Sequence, residues 1–476
     1  MNSSHSHSTS HTNSTRVTVL RWVSLLAGFA IMVMSGTLYG ISAYSPEIKS
    51  RLNYTEPDIN LITSIADVGL YVSIPAGLVY DRFGFRVAAS IGAVMIGLGY
   101  LLMYIAVWQD LAPSKAPLMG AILALVGQGG IFGVIAAMAA NERNYRPRDK
   151  GKVAGFLFAG FGSSAAIFSA VYKLAYQNSA DLEGYFILLA CTTAAICLVC
   201  GLFLLRHLPQ DEMLYPSDTE KDGSKAALLG DERPVPGYSN NKSVNPSSIL
   251  LASATHADLL KRPDLTPLEV LRTKLFVLIF SVIMISVGAA LLFINNLGSI
   301  YEAYGGQHGE SGNLVIVFSV LNVVSRVIFG YLSDHFSRHL SRASFLTMAV
   351  VIVTGAQLLL AWSTVDLLYL AAVLVGLADG GIFSQYAVLV RESFGAKHYG
   401  TNFGLATMAA GVGVFLFGPM SAALYDDKIV GDGNNCYGES CYQTSFFISA
   451  GCCAFSLLLC VQMIRETRKI HLERWI

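Results

Sequence analysis

The segment GLVYDRFGFR at residues 77–86 is echoed by GYLSDHFSR at 330–338. Each lies between two long apolar runs. Each places a Gly four residues before an Asp, with basic residues close behind: Gly77, Asp81, Arg82, Gly84 and Arg86 in the first, and Gly330, Asp334 and Arg338 in the second. A second echo lies further along the chain. GGIF occurs at 129–132 and again at 380–383, followed at nearly equal distance by Glu142 and Glu392. The two pairs are offset by 253 and 251 residues, so the chain reads as two homologous halves.

The apolar runs around these motifs decide the class. Of 476 residues, 53% are hydrophobic and 13% are charged. That is half the charged share of about 25% found in soluble domains, and the mean hydropathy is +0.52. A helix needs about 20 apolar residues to cross a bilayer. Runs of this kind are expected near 21–44, 57–80, 87–108, 116–140, 153–176 and 184–206, and again near 274–297, 313–333, 343–362, 366–390, 400–424 and 443–464. The expected fold is an all-α membrane protein of twelve transmembrane helices in two pseudo-symmetric six-helix bundles. The expected division is a disordered polar tail over 1–20, an N-terminal half over 21–207, a linker over 208–272, a C-terminal half over 273–465 and a tail over 466–476. Thr266 to Thr273 reads as an interfacial helix leading into the seventh span.

Lys and Arg mark one side of the spans. Arg82, Arg86, Arg143, Arg146, Arg148, Lys150, Lys152, Arg342, Arg391 and Arg465 share it, whereas the opposite loops are mainly acidic. By the positive-inside tendency both termini and the linker are expected in the cytoplasm. A net charge of zero gives no electrostatic case for nucleic acid. No phosphate-binding Gly-Lys-Ser/Thr loop, metal-ligand His pair or Gly-x-Ser-x-Gly elbow occurs, so no enzyme, cofactor or metal centre is expected. The N-terminal His5, His7 and His11 read as part of the solvated tail.

The 77–86 segment resembles the loop signature of the major facilitator superfamily. The physical reading stands beside it. Gly77 and Gly330 permit close helix approach. Asp81 and Asp334 are placed to accept from the orphan N–H groups of a helix start in the other half, near Thr401 and Lys152 respectively. Pairing of Arg82 or Arg86 with Glu142, and of Arg338 with Glu392, would complete a gate. Further segments, LNYTE at 52–56, ADVGLY at 66–71, DGGIFS at 379–384, RESFG at 391–395 and CYGESC at 436–441, resemble nodulin-like facilitators, most closely the fungal monocarboxylate-transporter homologs of the vacuolar membrane. That resemblance implies a vacuolar location, with the plasma membrane second. Against true proton-coupled monocarboxylate carriers, Arg326 stands four residues before Gly330 as theirs does. Asn322 replaces their Asp, and 34–44 lacks their first-span Lys.

Ionisable groups inside spans are costly and therefore functional candidates. Arg326 offers a fork matched to a carboxylate. With Asn322, Asp379 and Gln128, the last two at equivalent points of the repeat, it forms the candidate substrate site. Asp67, in mid-span, is the candidate proton carrier. Tyr39, Tyr44, Tyr71, Tyr386 and Phe403 are candidate cavity-lining rings. Cys436 and Cys441 share one loop and suit a disulfide if it faces an oxidising lumen. Of the Asn-x-Ser/Thr sites only Asn53 lies on that side. The expected function is secondary or facilitative transport of a small organic solute, a carboxylate-type anion, by a monomer, with protons as the candidate coupling ion. The alternatives are an amino-acid or cation carrier and a non-transporting nutrient sensor.

Overall fold

In the computed structural model the described residues are 5–146, 149–176, 181–208, 264–306, 312–337, 339–428 and 436–472. They are almost wholly helical. In a bilayer this is the arrangement in which a chain satisfies every backbone N–H and C=O within one segment. Eleven helical runs are long and apolar enough to cross a membrane. One of them, Asp58–Trp108, has 51 residues. At 1.5 Å per residue it would extend about 77 Å, more than twice the hydrocarbon thickness. It is two spans, separated at Gly84, whose φ of 81° and ψ of 178° interrupt the helix. Twelve spans result.

The first span comprises His5–Ser35, a tight turn over Thr37–Gly40 and a continuation over Ile41–Leu52. This helix starts within the stretch expected to be a tail, while its bilayer-compatible run starts at Arg16. The side chains of His5, His7 and His11 lie outside the described ones. The second span starts at Glu56, where Thr55 and Asp58 form a reciprocal cap. It breaks at Val72–Ser73 before resuming at Ile74. The fourth, fifth and sixth spans are Ala116–Arg143, Lys150–Ala175 and Leu182–Leu204.

In the C-terminal half, Pro267–Arg272 forms the expected short helix. The seventh span follows as Lys274–Asn295 and continues over Leu297–Ala303. The eighth to twelfth spans are Gly312–His335, Arg342–Ala361, Val365–Phe394, Tyr399–Asp426 and Ser440–Leu472. Residues 209–263, the bulk of the expected linker, lie outside the described ones. Its two attachment points are tied down. Asn144 donates to the Arg206 carbonyl at 2.7 Å and accepts from Leu208 N–H at 3.0 Å. Asp264 accepts from the N–H groups of Ala396 at 2.7 Å and Lys397 at 2.9 Å.

The two halves meet along two seams: the second span packs on the eleventh, and the eighth on the fifth. On the far face, Arg51 in the first-span continuation pairs with Glu183 at 2.5 Å. Tyr44 packs against Tyr172, Tyr185 and Phe186, all of its own six-helix bundle, so it belongs to the core of that bundle rather than to a wall between the halves. Cys436 and Cys441 are joined by a disulfide. Asn53 ends the first-span continuation in a left-handed conformation, with φ of 53°.

Two stability measurements test this architecture. The Gly84 conformation is open to Gly alone, and nothing lies within 4 Å of a Cβ built there, so the demand is purely on the backbone. Gly84→Ala should lower stability by about 1–3 kcal/mol, whereas Gly355→Ala, in a helix with equally open space, should be neutral or stabilising. Equal thermal melts for the two variants would refute the hinge.

The second concerns His207, just beyond the sixth span. Its ring lies 4.7 Å from that of Phe85, and its buried Nε2 has no partner. Burial, and then Arg143, Arg391 and Arg86, push its pKa down to about 4. An unfolded His titrates near 6.5, so the unfolded chain binds the proton first. Stability should therefore be fully present above about pH 6.5 and be lost as pH falls toward 4. His207→Gln should show a flatter melting profile over that window than the parent chain.

Candidate functional site

The seams are built from the repeated motifs. Asp81 accepts from the N–H groups of Gly400 at 2.9 Å and Thr401 at 2.8 Å, and from the Thr401 hydroxyl at 2.6 Å. Asp334 accepts from Gly151 N–H at 2.9 Å and Lys152 N–H at 2.6 Å. Each carboxylate thus meets the orphan donors and positive dipole end of a helix start in the opposite half. Gly77 and Gly330 make the approach possible. A Cβ on Gly77 would run into the Gly400 carbonyl, and one on Gly330 into that of Gly151.

The charges around the seams are arranged differently from the expected pairs. Arg82 and Arg86 lie over the rings of Phe83 and Phe85, at 5.5 and 5.7 Å, rather than on Glu142. Glu142 faces Arg391 of the other half at 3.7 Å, and Arg391 lies 5.4 Å from the Tyr399 ring centre. Arg338 lies outside the described residues. Glu392 pairs instead with Arg342 at 3.7 Å, and Arg342 also holds Asp334 at 2.5 Å and the Ser333 hydroxyl at 2.5 Å. Arg342 and Arg391 read in the sequence only as topogenic charges, because nothing local distinguishes a cation that turns inward at a helix end.

One turn further from the motif loops the repeat places Ser73 and Arg326 at equivalent positions, four residues before Gly77 and Gly330. Each crosses to the other half. The Ser73 hydroxyl donates to the Gly404 carbonyl at 2.7 Å, and Arg326 Nη1 donates to the Phe158 carbonyl at 2.8 Å. Arg326 is held between the Phe158 and Phe383 rings, 5.8 and 5.2 Å from their centres. Its Nη2 is 3.9 Å from Asp379 Oδ2, which accepts from Asn322 at 2.6 Å. Arg326 Nε and Asp379 Oδ1 are buried without a partner. Unpartnered buried groups are uncommon and need a reason.

The structure therefore gathers three of the four predicted substrate residues, Arg326, Asn322 and Asp379. The fourth bonds to backbone. Gln128 donates to the Val72 carbonyl at 2.6 Å, satisfying backbone freed where the second span breaks. Sequence equivalence with Asp379 could not reveal this, because the matching span in the other half is continuous. Asp67 lies on the second span, half-buried. Nearby, Tyr39 and Tyr71 share a 3.3 Å hydroxyl contact, and Tyr386 shares a 3.1 Å contact with Thr407. Phe403 stacks on Tyr386. Phe158, the carbonyl partner and ring wall of Arg326, carried no signal in the sequence.

The seams predict an exchange experiment. Asp334→Ala frees the Gly151 and Lys152 amides, and Asp81→Ala those of Gly400 and Thr401. Loss of charge-assisted bonds worth about 1.5–3 kcal/mol should accelerate amide hydrogen exchange at the matching pair at least tenfold and leave the other pair slower. Unchanged exchange would remove the seams as cross-half contacts.

Similarity to known proteins runs the length of the chain. A family described as Nodulin-like matches residues 21–228, and the C-terminal domain of NFD4 matches residues 266–472. The chain is 24% identical to a protein named Probable transporter mch1 from Emericella nidulans, over 91% of this chain and 83% of the relative. It is 25% identical to Probable transporter MCH1 from Gibberella zeae, over 90% and 86%. Among solved structures, the E. coli fucose:proton symporter FucP aligns with a TM-score of 0.57 at 16% identity, covering 92% of this chain and 99% of that one. The proton:xylose symporter XylE aligns with a TM-score of 0.61 at 13% identity, covering 95% and 96%. At these identities the structures establish the fold. With two six-span halves, the paired seams and matches across both halves, the chain belongs to the nodulin-like, MCH1-type transporters of the major facilitator superfamily.

Proposed function

We propose that this transporter carries a small organic solute bearing a carboxylate, by alternating access between its two halves. The observation that carries the reading is Arg326: a buried guanidinium at the seam between the halves, with one N–H unpartnered and its positive charge only loosely matched at 3.9 Å by Asp379. A planar cation with an unpartnered donor, held between aromatic rings, is suited to a carboxylate. The described contacts between the halves, from Asp81 and Asp334 to Ser73 and Arg326, run inward from the motif face. With that face cytoplasmic, as the Lys and Arg placement supports, this is the state closed to the cytoplasm, and Asp81 and Asp334 are its gating latches.

Asp67 is the proton-coupling group in this reading. It lies beside the Tyr39–Tyr71 pair, in the half opposite Arg326, and FucP and XylE, which share the fold, are proton symporters. The protein works as a monomer in the vacuolar membrane, the plasma membrane being the alternative. The disulfide between Cys436 and Cys441, on the face away from the motif loops, suits an oxidising compartment there.

Uptake of labelled carboxylates into sealed vesicles, with and without a pH gradient, tests this. Arg326→Ala should reduce uptake more than tenfold, and Asp67→Asn should make residual uptake insensitive to the gradient. Full gradient-dependent uptake by both variants would overturn both assignments.

A further inference from the structure

We infer that the solute is a zwitterion: an apolar α-amino acid, or a compound with the same adjacent carboxylate and ammonium. The inference rests on the carboxylate-carrier reading and narrows it. Arg326 and Asp379 are 5% and 4% exposed, and each has one polar atom committed and another without a partner. Arg326 spends Nη1 on the Phe158 carbonyl, and Asp379 spends Oδ2 on Asn322. What remains is a cationic donor, Arg326 Nε, and an anionic acceptor, Asp379 Oδ1, both buried and both unpartnered.

A simple carboxylate can satisfy only the donor. It would place its own negative charge beside Asp379 while leaving Oδ1 without a hydrogen bond, and a buried unpaired charge is strongly unfavourable. A zwitterion answers both groups at once, its carboxylate on Arg326 and its ammonium on Asp379. The two side chains are neighbours, Arg326 Nη2 lying 3.9 Å from Asp379 Oδ2, so one small solute can meet both.

The surroundings describe the remainder of the solute. Phe158 and Phe383 flank the guanidinium, Phe383 meets Tyr386 at 5.7 Å, and Tyr386 stacks on Phe403. These rings favour an aliphatic or aromatic side chain over a polar one.

The test uses the full chain in proteoliposomes and three probes of nearly one shape: L-leucine, 4-methylpentanoate, which lacks the amine, and 3-methylbutylamine, which lacks the carboxylate. L-leucine should be taken up, or should compete, at least tenfold better than either. In Asp379→Asn the gap should close from both sides, with L-leucine falling at least tenfold and 4-methylpentanoate rising, because the like charge is gone. If 4-methylpentanoate equals or exceeds L-leucine in the parent chain, the zwitterion inference falls and the carboxylate reading stands. Preference for 3-methylbutylamine, or recognition of none of the three, overturns both. The parent chain's own ranking decides the matter even if Asp379→Asn does not fold.

Discussion

A carboxylate of one six-helix half accepts the unpaired N–H groups that begin a helix of the other half, and it does so twice. Much else in the architecture depends on this. A helix start in or near a membrane has donors with no internal partner and little water to take them. Asp81 at Gly400–Thr401 and Asp334 at Gly151–Lys152 supply partners from across the interface. The bond needs the backbones nearly in contact, and Gly77 and Gly330 permit that. The same groups are easily satisfied by water once the halves part, so the contact is strong when closed and inexpensive to exchange. Those are the properties wanted in a reversible joint.

The repeat makes the joint symmetric, and the residues one turn further in make it unequal. Ser73 and Arg326 occupy equivalent positions and both bond a carbonyl across the seam. A hydroxyl at this point leaves no residual charge. A guanidinium leaves a full one, with donors to spare, and the C-terminal half answers with Asp379 and Asn322. The N-terminal half instead breaks its second span at Val72–Ser73 and uses Gln128 to satisfy the exposed carbonyl. One half thus holds the guanidinium and its acid partner, and the other holds the bend. Neither arrangement is complete without the opposing half, because Phe158 and Gly404 each belong to the partner bundle.

The buried Arg326–Asp379 pair is a poor choice if its purpose is stability. Desolvating two charges costs several kcal/mol per ion, and at 3.9 Å the pair forgoes the direct charge-assisted hydrogen bond that a structural clasp would use to offset it. Two aromatic faces contribute roughly 1–2 kcal/mol more. A pair so incompletely satisfied is better understood as a site awaiting polar groups than as a structural clasp.

The twelve spans, the two halves and the motif contacts were legible from sequence because they depend on periodic apolar length and on repetition, which are properties of the chain itself. Asp81 could be matched to Thr401, and Asp334 to Lys152, because a carboxylate in a short loop has few unpaired donors within reach. Arg326, Asn322 and Asp379 were recognisable because charge in a span is rare. What the tertiary structure decided was partnership. Glu142 takes Arg391 rather than Arg82 or Arg86, Glu392 takes Arg342, Gln128 serves a backbone break, and Tyr44 is core. Each of these depends on which way a side chain turns at the meeting of helices far apart in sequence. Periodicity fixes the face of a helix but not the neighbour that face will meet.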